Sequence, residues 1–255
     1  MSEIDLTRAL SFGSLAQEYD RWRPSYPPEA IDWLVPSGAR EVADLGAGTG
    51  KLTGDLLARG LVVHAVEPDP GMLAVLRAGH PLARTHLARA DALPLEAASV
   101  AAVLVAQAWH WMSPYETTVE VRRVLRPGGW LGLVWNVVDP RADWEFNVHG
   151  LTPETWRQEE AAHTVAGLPF PAHEVETAEF AWTWVGTSEA WLANIATQSS
   201  ISTMPTAERE KLLAEKRAIL ANHLEAAGQP EAQVHHRAVC VRWRPASDAV
   251  ASDQN

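Results

Sequence analysis

The sequence predicts an α/β protein whose mostly parallel sheet carries helices on both faces. A glycine-rich turn at residues 46–50 joins a short apolar strand to an amphipathic helix. From residue 41 to residue 138, segments with strand and helix patterns alternate, which is typical of such a sheet. Residues 99–107 are almost entirely apolar, as expected for a central strand that is buried on both faces.

The composition narrows the class of protein before any motif is considered. A length of 255 residues allows one large domain, or one domain with a lid or an insertion. The net charge of −11 argues against a nucleic-acid partner, which would need clustered Lys and Arg. The longest apolar run is too short to cross a membrane, and the first residues lack a signal-peptide pattern. We therefore expect a cytoplasmic protein, monomeric or homodimeric, without a nucleic-acid or membrane partner. The single Cys240 fits a reducing compartment.

The first 40 residues predict two helices separated by an extended segment. Apolar residues with helical spacing run from Leu6 to Tyr19, and Pro28 begins a second helix that ends near Leu34. Prolines between the two helices keep the chain extended. This region either packs on the outside of the sheet or lies over the site.

The glycine-rich turn has the local architecture that proteins use to hold a nucleotide. Gly46, Gly48 and Gly50 follow the predicted strand at residues 41–46, and a helix at about 49–59 comes next. Glycine lets the backbone adopt a positive φ and lets a ligand approach without a Cβ in the way. The helix N-terminus adds unpaired N–H groups. The turn therefore predicts a nucleotide site.

The residues around the glycines decide which nucleotide fits. A phosphate-binding P-loop would need glycine in place of Leu45 and a hydroxyl in place of Leu52. The dinucleotide fingerprint would need glycine in place of Lys51. The carboxylate of Asp44, just before the first glycine, would repel a pyrophosphate but would suit the ammonium of an amino-acid group. These features together point to S-adenosylmethionine.

With these residues in place, the segment E-V-A-D-L-G-A-G-T-G resembles the first motif of the class I S-adenosylmethionine-dependent methyltransferases. The resemblance implies a Rossmann-like, seven-stranded sheet over about residues 41–245, mostly parallel with an antiparallel edge strand. It also implies S-adenosylmethionine as the cofactor and S-adenosylhomocysteine as the product. The residues of the motif that would contact the cofactor are Asp44, Gly46, Ala47, Gly48 and Gly50.

The resemblance also bears on residues 1–40. The chain looks most like the small-molecule branch of the family, which includes type 11 methyltransferases and trans-aconitate methyltransferase. Members of that branch carry an aromatic and arginine-bearing segment before the first motif. This likeness favours residues 1–40 as a lid, with Arg23 and Tyr26 on the substrate side, although the aromatic side chains also fit plain packing onto the body.

The second predicted strand ends in an acidic residue that the family uses for the ribose. Glu67 lies 21 positions after Gly46, where a carboxylate meets ribose hydroxyls. Pro68 and Met72 follow Glu67 and would lie on the adenine side. Core filling explains Met72 equally well.

The third predicted strand, at about residues 85–90, is followed at once by Asp91 and Ala92. In the family, an acidic residue at this position accepts a hydrogen bond from the adenine amino group, and the next backbone N–H bonds a ring nitrogen. Asp91 and Ala92 match these positions. A turn-forming aspartate is the alternative.

The fourth strand ends in the segment A-Q-A-W-H-W, at residues 106–111. Ligands of open α/β sheets bind beyond the carboxyl ends of the strands, so this segment should face the transferred methyl group. Gln107 is a candidate contact of cofactor or substrate. His110 is a candidate general base for a hydroxyl or amine acceptor, and a packed structural histidine is the alternative.

The remaining pattern predicts a helical cap inserted before the last strand, at about residues 186–230. The segment L-R-P-G-G, which also resembles the family, would stop a helix and turn the chain into a fifth strand. The last ten residues, 246–255, look disordered. The elements predicted after the fourth strand are a helix at 114–125, a strand at 130–138, a helix at 152–166, a strand at 175–185, helices at 188–197 and 206–227, and a strand at 234–244.

The predicted function is methyl transfer from S-adenosylmethionine to an O, N or C atom of a small molecule. A carboxylate acceptor would need no base and would want an arginine such as Arg23, whereas a phenol or hydroxyl would want His110. Tryptophans of the C-terminal part predict a largely apolar acceptor pocket, although core packing explains them as well. No metal site is expected. Two alternatives stay open: a non-methylating or regulatory protein with the same fold, and an NAD-dependent oxidoreductase. The tryptophans concerned are Trp156, Trp182, Trp184 and Trp191.

Overall fold

The fold is described from a computed structural model, which covers residues 16–162 and 168–246. The start of the first predicted helix, the end of the helix predicted at 152–166 and nearly all of the C-terminal tail lie outside these residues. Within them, no helix combines the length and the apolar character that crossing a bilayer requires.

A seven-stranded sheet forms the centre of the molecule, in the order β3-β2-β1-β4-β5-β7-β6. The first five strands are parallel. β7 runs antiparallel to both of its neighbours, so that it joins β5 to the edge strand β6. The predicted Rossmann-like sheet with an antiparallel edge is confirmed. The strands are β1 Glu41–Leu45, β2 Val62–Glu67, β3 Arg84–Leu87, β4 Val100–Ala106, β5 Leu125–Val138, β6 Val175–Gly186 and β7 Ala232–Trp243.

Ten α-helices of the described ranges surround the sheet, and five of them follow β5, the last of the parallel strands. α8, α9 and α10 are inserted between β6 and β7, where the sequence predicts a cap. Single 3₁₀ turns occur at Trp109–Trp111 and Ala172–Glu174. The helices are α1 Ala16–Trp22, α2 Pro28–Leu34, α3 Lys51–Ala58, α4 Pro70–Gly79, α5 Pro114–Val124, α6 Asp143–His149, α7 Pro153–Ala162, α8 Ser188–Ala196, α9 Ser199–Ser202 and α10 Thr206–Ala227.

Local sequence explains where several helices begin. Proline occupies the first turn of α2, α4 and α5, a position at which its missing N–H costs nothing. The Asp69 carboxylate caps α4 by accepting hydrogen bonds from the N–H groups of Gly71 and Met72. Because α4 begins directly after β2, this cap fixes the path of the chain beyond the carboxyl end of the sheet.

Both faces of the sheet are buried in apolar layers. Residues of α2 and α3, including Leu34 and Leu56, pack on one face. Val121 and Val124 of α5 pack on the other. A separate cluster joins α6 and α8–α10 to the first residues of β7. The central strand β4 is buried on both faces, as its apolar sequence predicts.

Some predicted boundaries differ from the structure for identifiable reasons. β3 ends at Leu87 and not at residue 90, because Leu87 pairs with Glu67, the last residue of β2. β5 begins at Leu125 and not at residue 130, because Leu125 already pairs with Val100. The helix α6 has no sequence prediction. It is only about two turns long and ends at His149, and the left-handed Gly150 follows it.

Candidate active site

The glycine turn between β1 and α3 forms one end of a cleft at the carboxyl edge of the sheet. Gly46, Gly48 and Gly50 all have positive φ, at 63°, 56° and 97°. A Cβ on Gly46 would lie 2.6 Å from the Cβ of Ala108, whereas a Cβ on Gly48 would meet nothing within 4 Å. Gly46 is therefore required by packing, and Gly48 leaves open space in the cleft.

Glu67, at the end of β2, holds the glycine turn in place. One carboxylate oxygen accepts a hydrogen bond from the Gly48 N–H at 2.8 Å, and the other accepts one from the Asp69 N–H at 2.9 Å. Burial raises the pKa of this carboxyl, and the two backbone hydrogen bonds oppose the rise. Each oxygen keeps a further lone pair, so the carboxylate can still accept hydrogen bonds from ribose hydroxyls.

We expect Glu67→Gln to destabilise the protein. One oxygen becomes an amide nitrogen, which cannot accept the hydrogen bond from Gly48 or Asp69, and a half-buried N–H loses its partner. The expected loss is about 1–2 kcal/mol of unfolding free energy, measured by urea denaturation. Glu189→Gln is the control: Glu189 pairs with Arg217, both side chains are exposed, and the loss of an exposed ion pair should cost much less. Equal stability of the Glu67 variant and the unsubstituted protein would contradict this role.

Asp44 is the buried anion of the cleft. Its side chain is 1% exposed, and Oδ2 accepts a hydrogen bond from the Thr53 hydroxyl at 2.6 Å. Oδ1 is buried and has no hydrogen-bond partner among the described residues. Burial raises the pKa of this carboxyl to about 7. An unpartnered buried oxygen beside a glycine turn fits a cationic ligand group that would supply the missing hydrogen bond.

The other end of the cleft lies beyond β5 and β7, where Asn194 of α8 lines it. Tyr19, Arg23 and Tyr26 of the N-terminal segment also line the cleft, and this segment reaches the glycine end, where Asp20 pairs with Lys51 at 3.5 Å. The Nε of Arg23 and the Oδ1 of Asn194 are buried and lack hydrogen-bond partners among the described residues. Burial, with the nearby Asp44 carboxylate, raises the pKa of Tyr26 well above its usual value, so its phenol stays a hydrogen-bond donor.

Gln107 connects the two ends of the cleft. Its backbone is left-handed, at φ 58°, which is uncommon for a residue with a side chain. Its N–H donates to the Val134 carbonyl, and its side-chain amide donates to the Asn136 carbonyl at 3.2 Å. Asn136 in turn donates to the Ser25 carbonyl at 3.1 Å. The ends of β4 and β5 are thus tied to the N-terminal segment.

The structure brings part of the predicted site together in this cleft. The predicted residues that line it are Arg23, Tyr26, Asp44, Gly46, Ala47, Gly48 and Gln107. Gly50 and Glu67 adjoin it, Gly50 as the residue preceding α3 and Glu67 through its hydrogen bond to Gly48.

Five predicted site residues do not line the cleft. Met72 is buried in the protein, and the exposed Pro68 precedes α4. Asp91 pairs with Arg89 at 2.8 Å, and Ala92 follows it on the surface. His110 is exposed on the 3₁₀ turn, where its ring contacts that of Trp111. The roles of these residues stay predictions.

The described residues do not support the expectation of a largely apolar acceptor pocket. None of the four tryptophans that suggested it lines the cleft, which carries the polar side chains of Arg23, Tyr26 and Asn194. The tryptophans serve packing: three belong to or pack against the apolar clusters, and the fourth donates a hydrogen bond to the Val138 carbonyl. They are Trp182, Trp184 and Trp191 in the clusters and Trp156 at Val138.

Three of the cleft residues that the sequence did not predict come from the C-terminal part of the chain. Asn194 and Gln198 come from α8 and the residues after it, and His236 comes from β7. No local motif marks them, because the fold brings them to the cleft from more than 80 positions beyond Gln107. Among the described residues, no group of three or more His, Cys, Asp or Glu could hold a metal ion.

Comparison with known proteins assigns the family. Residues 43–133 match a methyltransferase domain. An uncharacterized methyltransferase of Mycobacterium tuberculosis is 47% identical over 234 residues, which cover 92% of this chain and 95% of that protein. An uncharacterized methyltransferase of Schizosaccharomyces pombe is 32% identical over 208 residues, covering 78% and 82%. The chain belongs to the class I S-adenosylmethionine-dependent methyltransferases, as the glycine motif predicts.

Solved structures agree with this assignment. A proposed type II methyltransferase from Anaeromyxobacter dehalogenans has a TM-score of 0.63 and 29% identity, covering 86% of this chain and 96% of that one. Phosphoethanolamine N-methyltransferase 2 of Haemonchus contortus, in complex with S-adenosyl-L-methionine, has a TM-score of 0.53 over 96% of this chain and 60% of that one. The latter is 14% identical, so its likeness concerns the fold alone.

Proposed function

We propose that this methyltransferase takes its methyl group from S-adenosylmethionine and transfers it to a small polar molecule. The observation that carries the proposal is the buried, unpartnered Oδ1 of Asp44 beside the glycine turn. The amino-acid part of S-adenosylmethionine offers an ammonium to this oxygen. NAD would bring a pyrophosphate to the same carboxylate, and like charges repel.

The residues at this end of the cleft fit the parts of the cofactor. Asp44 would accept a hydrogen bond from the ammonium, and the open side of Gly48 leaves room for the ligand. The remaining lone pairs of Glu67 would accept hydrogen bonds from the ribose hydroxyls. Asp91 and Ala92 would lie beside the adenine, a role that rests on the family resemblance alone.

When bound, S-adenosylmethionine supplies an electrophilic methyl group on a sulfonium. The protein's task is then to align the acceptor and to exclude water. Positioning of this kind lowers a barrier by roughly 7–11 kcal/mol. Tyr19, Arg23 and Tyr26 on one side and Asn194 on the other would enclose the acceptor.

The polar lining supports a small acceptor with hydrogen-bonding groups. Arg23 offers a buried donor and Asn194 a buried acceptor, and both lack partners among the described residues. A phenol, an alcohol or an amine would donate a hydrogen bond to Asn194, and a carboxylic acid would accept one from Arg23. Among the described residues, side chains of the lid and the cap bound this end of the cleft.

The first test is a thermal melting shift with S-adenosylhomocysteine beside NAD at equal concentration. A ligand at about 100 times its Kd stabilises a protein by about 2.7 kcal/mol, which is roughly 5–10 °C for a chain of this size. We expect a shift with S-adenosylhomocysteine alone. A shift with NAD alone would overturn the proposal. Cofactor binding without methyl transfer to any acceptor would instead favour a non-methylating role.

A further inference from the structure

The acceptor end of the cleft contains a histidine from the last strand of the chain. His236 lines the cleft and is 9% exposed. On β7 it pairs with Val138, the last residue of β5, and with Trp182 of β6. Since β7 is antiparallel to β5, its first half lies at the carboxyl edge of the parallel strands. That edge is where ligands of this fold bind.

The hydrogen bonding of His236 fixes its tautomer. Nδ1 lies 3.0 Å from the carbonyl oxygen of Val234, which only accepts hydrogen bonds. Nδ1 therefore carries the hydrogen, and Nε2 of the neutral ring keeps a free lone pair. In residues 16–162 and 168–246, nothing forms a hydrogen bond with Nε2.

The surroundings of His236 hold its ring still and favour the neutral form. The ring stacks on Trp182 with centroids 4.7 Å apart, and the His149 ring meets it edge-on at 6.3 Å. Burial lowers the pKa of His236, and the neighbouring His235 lowers it further. The hydrogen bond to Val234 and the carboxylates of Glu145 and Asp139 raise this pKa and oppose the effect of burial. A fixed, neutral imidazole is suited to accept a proton.

The other polar side chains of the cleft are less suited to that task. Arg23 and Lys51 are cations that only donate. The phenol of Tyr26 is held in its protonated form by burial. Asp44 can accept a proton, but it lies at the glycine turn, where the proposed function gives it the ammonium of the cofactor. Aspartate and histidine are the residue types of this lining that accept protons near neutral pH.

We infer that Nε2 of His236 accepts the proton of the methyl acceptor, and that the acceptor is a hydroxyl, phenol or amine and not a carboxylate. This inference rests on the proposed function and deepens it. Transfer forms a bond between the acceptor atom and the methyl carbon and breaks the carbon–sulfur bond, whose electron pair stays on sulfur. The acceptor's proton moves to Nε2 and then to solvent. An ionised carboxylate has no such proton to lose.

The test uses two matched variants of β7. In His236→Asn the side-chain amide can still donate to the Val234 carbonyl, so that mainly Nε2 is lost. His235→Asn is the control: His235 points to the other face of the strand, and its amide replacement can still donate to Glu145, which lies 2.8 Å from Nδ1. The melting shift with S-adenosylhomocysteine reports whether each variant keeps its fold and its cofactor site.

The first readout needs no acceptor. Nitrogen NMR of histidine-labelled protein identifies the His236 signals as those absent from His236→Asn. We expect a hydrogen on Nδ1 and a bare Nε2 near neutral pH. A hydrogen on Nε2 in the neutral ring would overturn the inference, because that nitrogen could not then take a proton.

The second readout identifies the acceptor class. Methyl-labelled S-adenosylmethionine is incubated with the protein and a protein-free metabolite extract of mycobacterial cells, since the relative that is 47% identical comes from a mycobacterium. The labelled products are then treated with mild base. Methyl ethers and methylamines survive this treatment, whereas methyl esters release labelled methanol. We expect base-stable label, and a transfer rate about 100-fold or more lower in His236→Asn but unchanged in His235→Asn.

The outcomes separate this inference from the proposed function. Base-labile label, or undiminished transfer by His236→Asn, would overturn the role of His236 while leaving the methyltransferase intact. Absence of a melting shift with S-adenosylhomocysteine in the unsubstituted protein would instead remove the proposed cofactor, and with it the basis of the inference.

Discussion

Replacing Asp44 by asparagine should weaken S-adenosylhomocysteine binding by about 100-fold or more while making the ligand-free protein more stable. The lost affinity follows from the ammonium, because removing one member of a buried, hydrogen-bonded charge pair costs about 2–5 kcal/mol. The gain in stability follows from burial. The Asp44 carboxylate is 1% exposed with one oxygen unpartnered, whereas an asparagine carries no charge to desolvate and still accepts the Thr53 hydrogen bond.

The pH dependence gives this prediction a distinctive signature. Burial raises the pKa of Asp44 to about 7 in the folded protein, against an ordinary pKa of 3.8. Between these values the folded chain binds a proton that the unfolded chain has lost, so ionisation removes folding free energy as pH rises from about 4 to about 7. The whole loss, about 2–4 kcal/mol, persists above about pH 7. Asp44→Asn should therefore melt several degrees higher than the unsubstituted protein at about pH 8 and at a similar temperature near pH 4.

Calorimetric titration and melting curves at both pH values check these expectations. Asp55→Asn is the matched control: burial also raises the pKa of Asp55, but its carboxylate accepts a hydrogen bond from Ser25 and does not line the cleft. We expect its affinity for S-adenosylhomocysteine to stay within about two-fold. Weaker binding of Asp44→Asn together with a lower melting temperature at about pH 8 would mean that Asp44 supports the fold and not the ligand.

The second large effect concerns two glycines of one turn. Alanine should mainly lower the stability at Gly46 and mainly lower the ligand affinity at Gly48. Gly46→Ala places a Cβ 2.6 Å from the Cβ of Ala108 at a φ of 63°. The left-handed backbone and the overpacking should together cost about 2–4 kcal/mol of unfolding free energy. Gly48→Ala meets no protein atom within 4 Å, so it should cost only about 1 kcal/mol. Its methyl group enters the cleft, and S-adenosylhomocysteine should bind at least about 10-fold more weakly.

Gly60→Ala separates backbone strain from ligand contact. Gly60 also has a positive φ, 75°, and open space at its Cβ, but it lies at the far end of α3. We expect the same small loss of stability as in Gly48→Ala, with unchanged ligand affinity. Urea denaturation and titration calorimetry measure the two quantities. If Gly48→Ala bound the ligand as well as Gly60→Ala does, the open side of Gly48 would not be the cofactor's place.

The sequence predicts the glycine turn well because its determinants are local. Short motifs predict the positive φ at Gly46 and the acidic residue Glu67 at the end of β2. The alternation of strand and helix patterns predicts the parallel strands. The acceptor end has no such motif. Asn194 and His236 reach the cleft only through the pairing of β5, β6 and β7. Alternation along β7 predicts that His235 and His236 face opposite ways, but not which of them meets the cleft.

The role of the tryptophans could not be predicted for a related reason. Apolar side chains line a ligand pocket and fill a core for the same physical reason, so their presence in a segment does not distinguish the two. Trp191 is buried among apolar residues of the cap, and the Trp182 ring stacks on the His236 ring. Arg23, one of the polar residues that do face the cleft, comes from a segment more than 150 positions away from both.

The position of β7 in the sheet has a consequence for how the protein is made. β7 is the last strand of the described residues, yet it lies between β5 and β6 and not at an edge. A nascent chain that has emerged only as far as residue 231 holds β5 and β6 with no strand between them, and each exposes an unpaired backbone edge. His236 is missing from the cleft at that stage. Closure of the sheet and completion of the acceptor end are thus one late event, and a chain interrupted before Ala232 would be prone to aggregate and would lack activity.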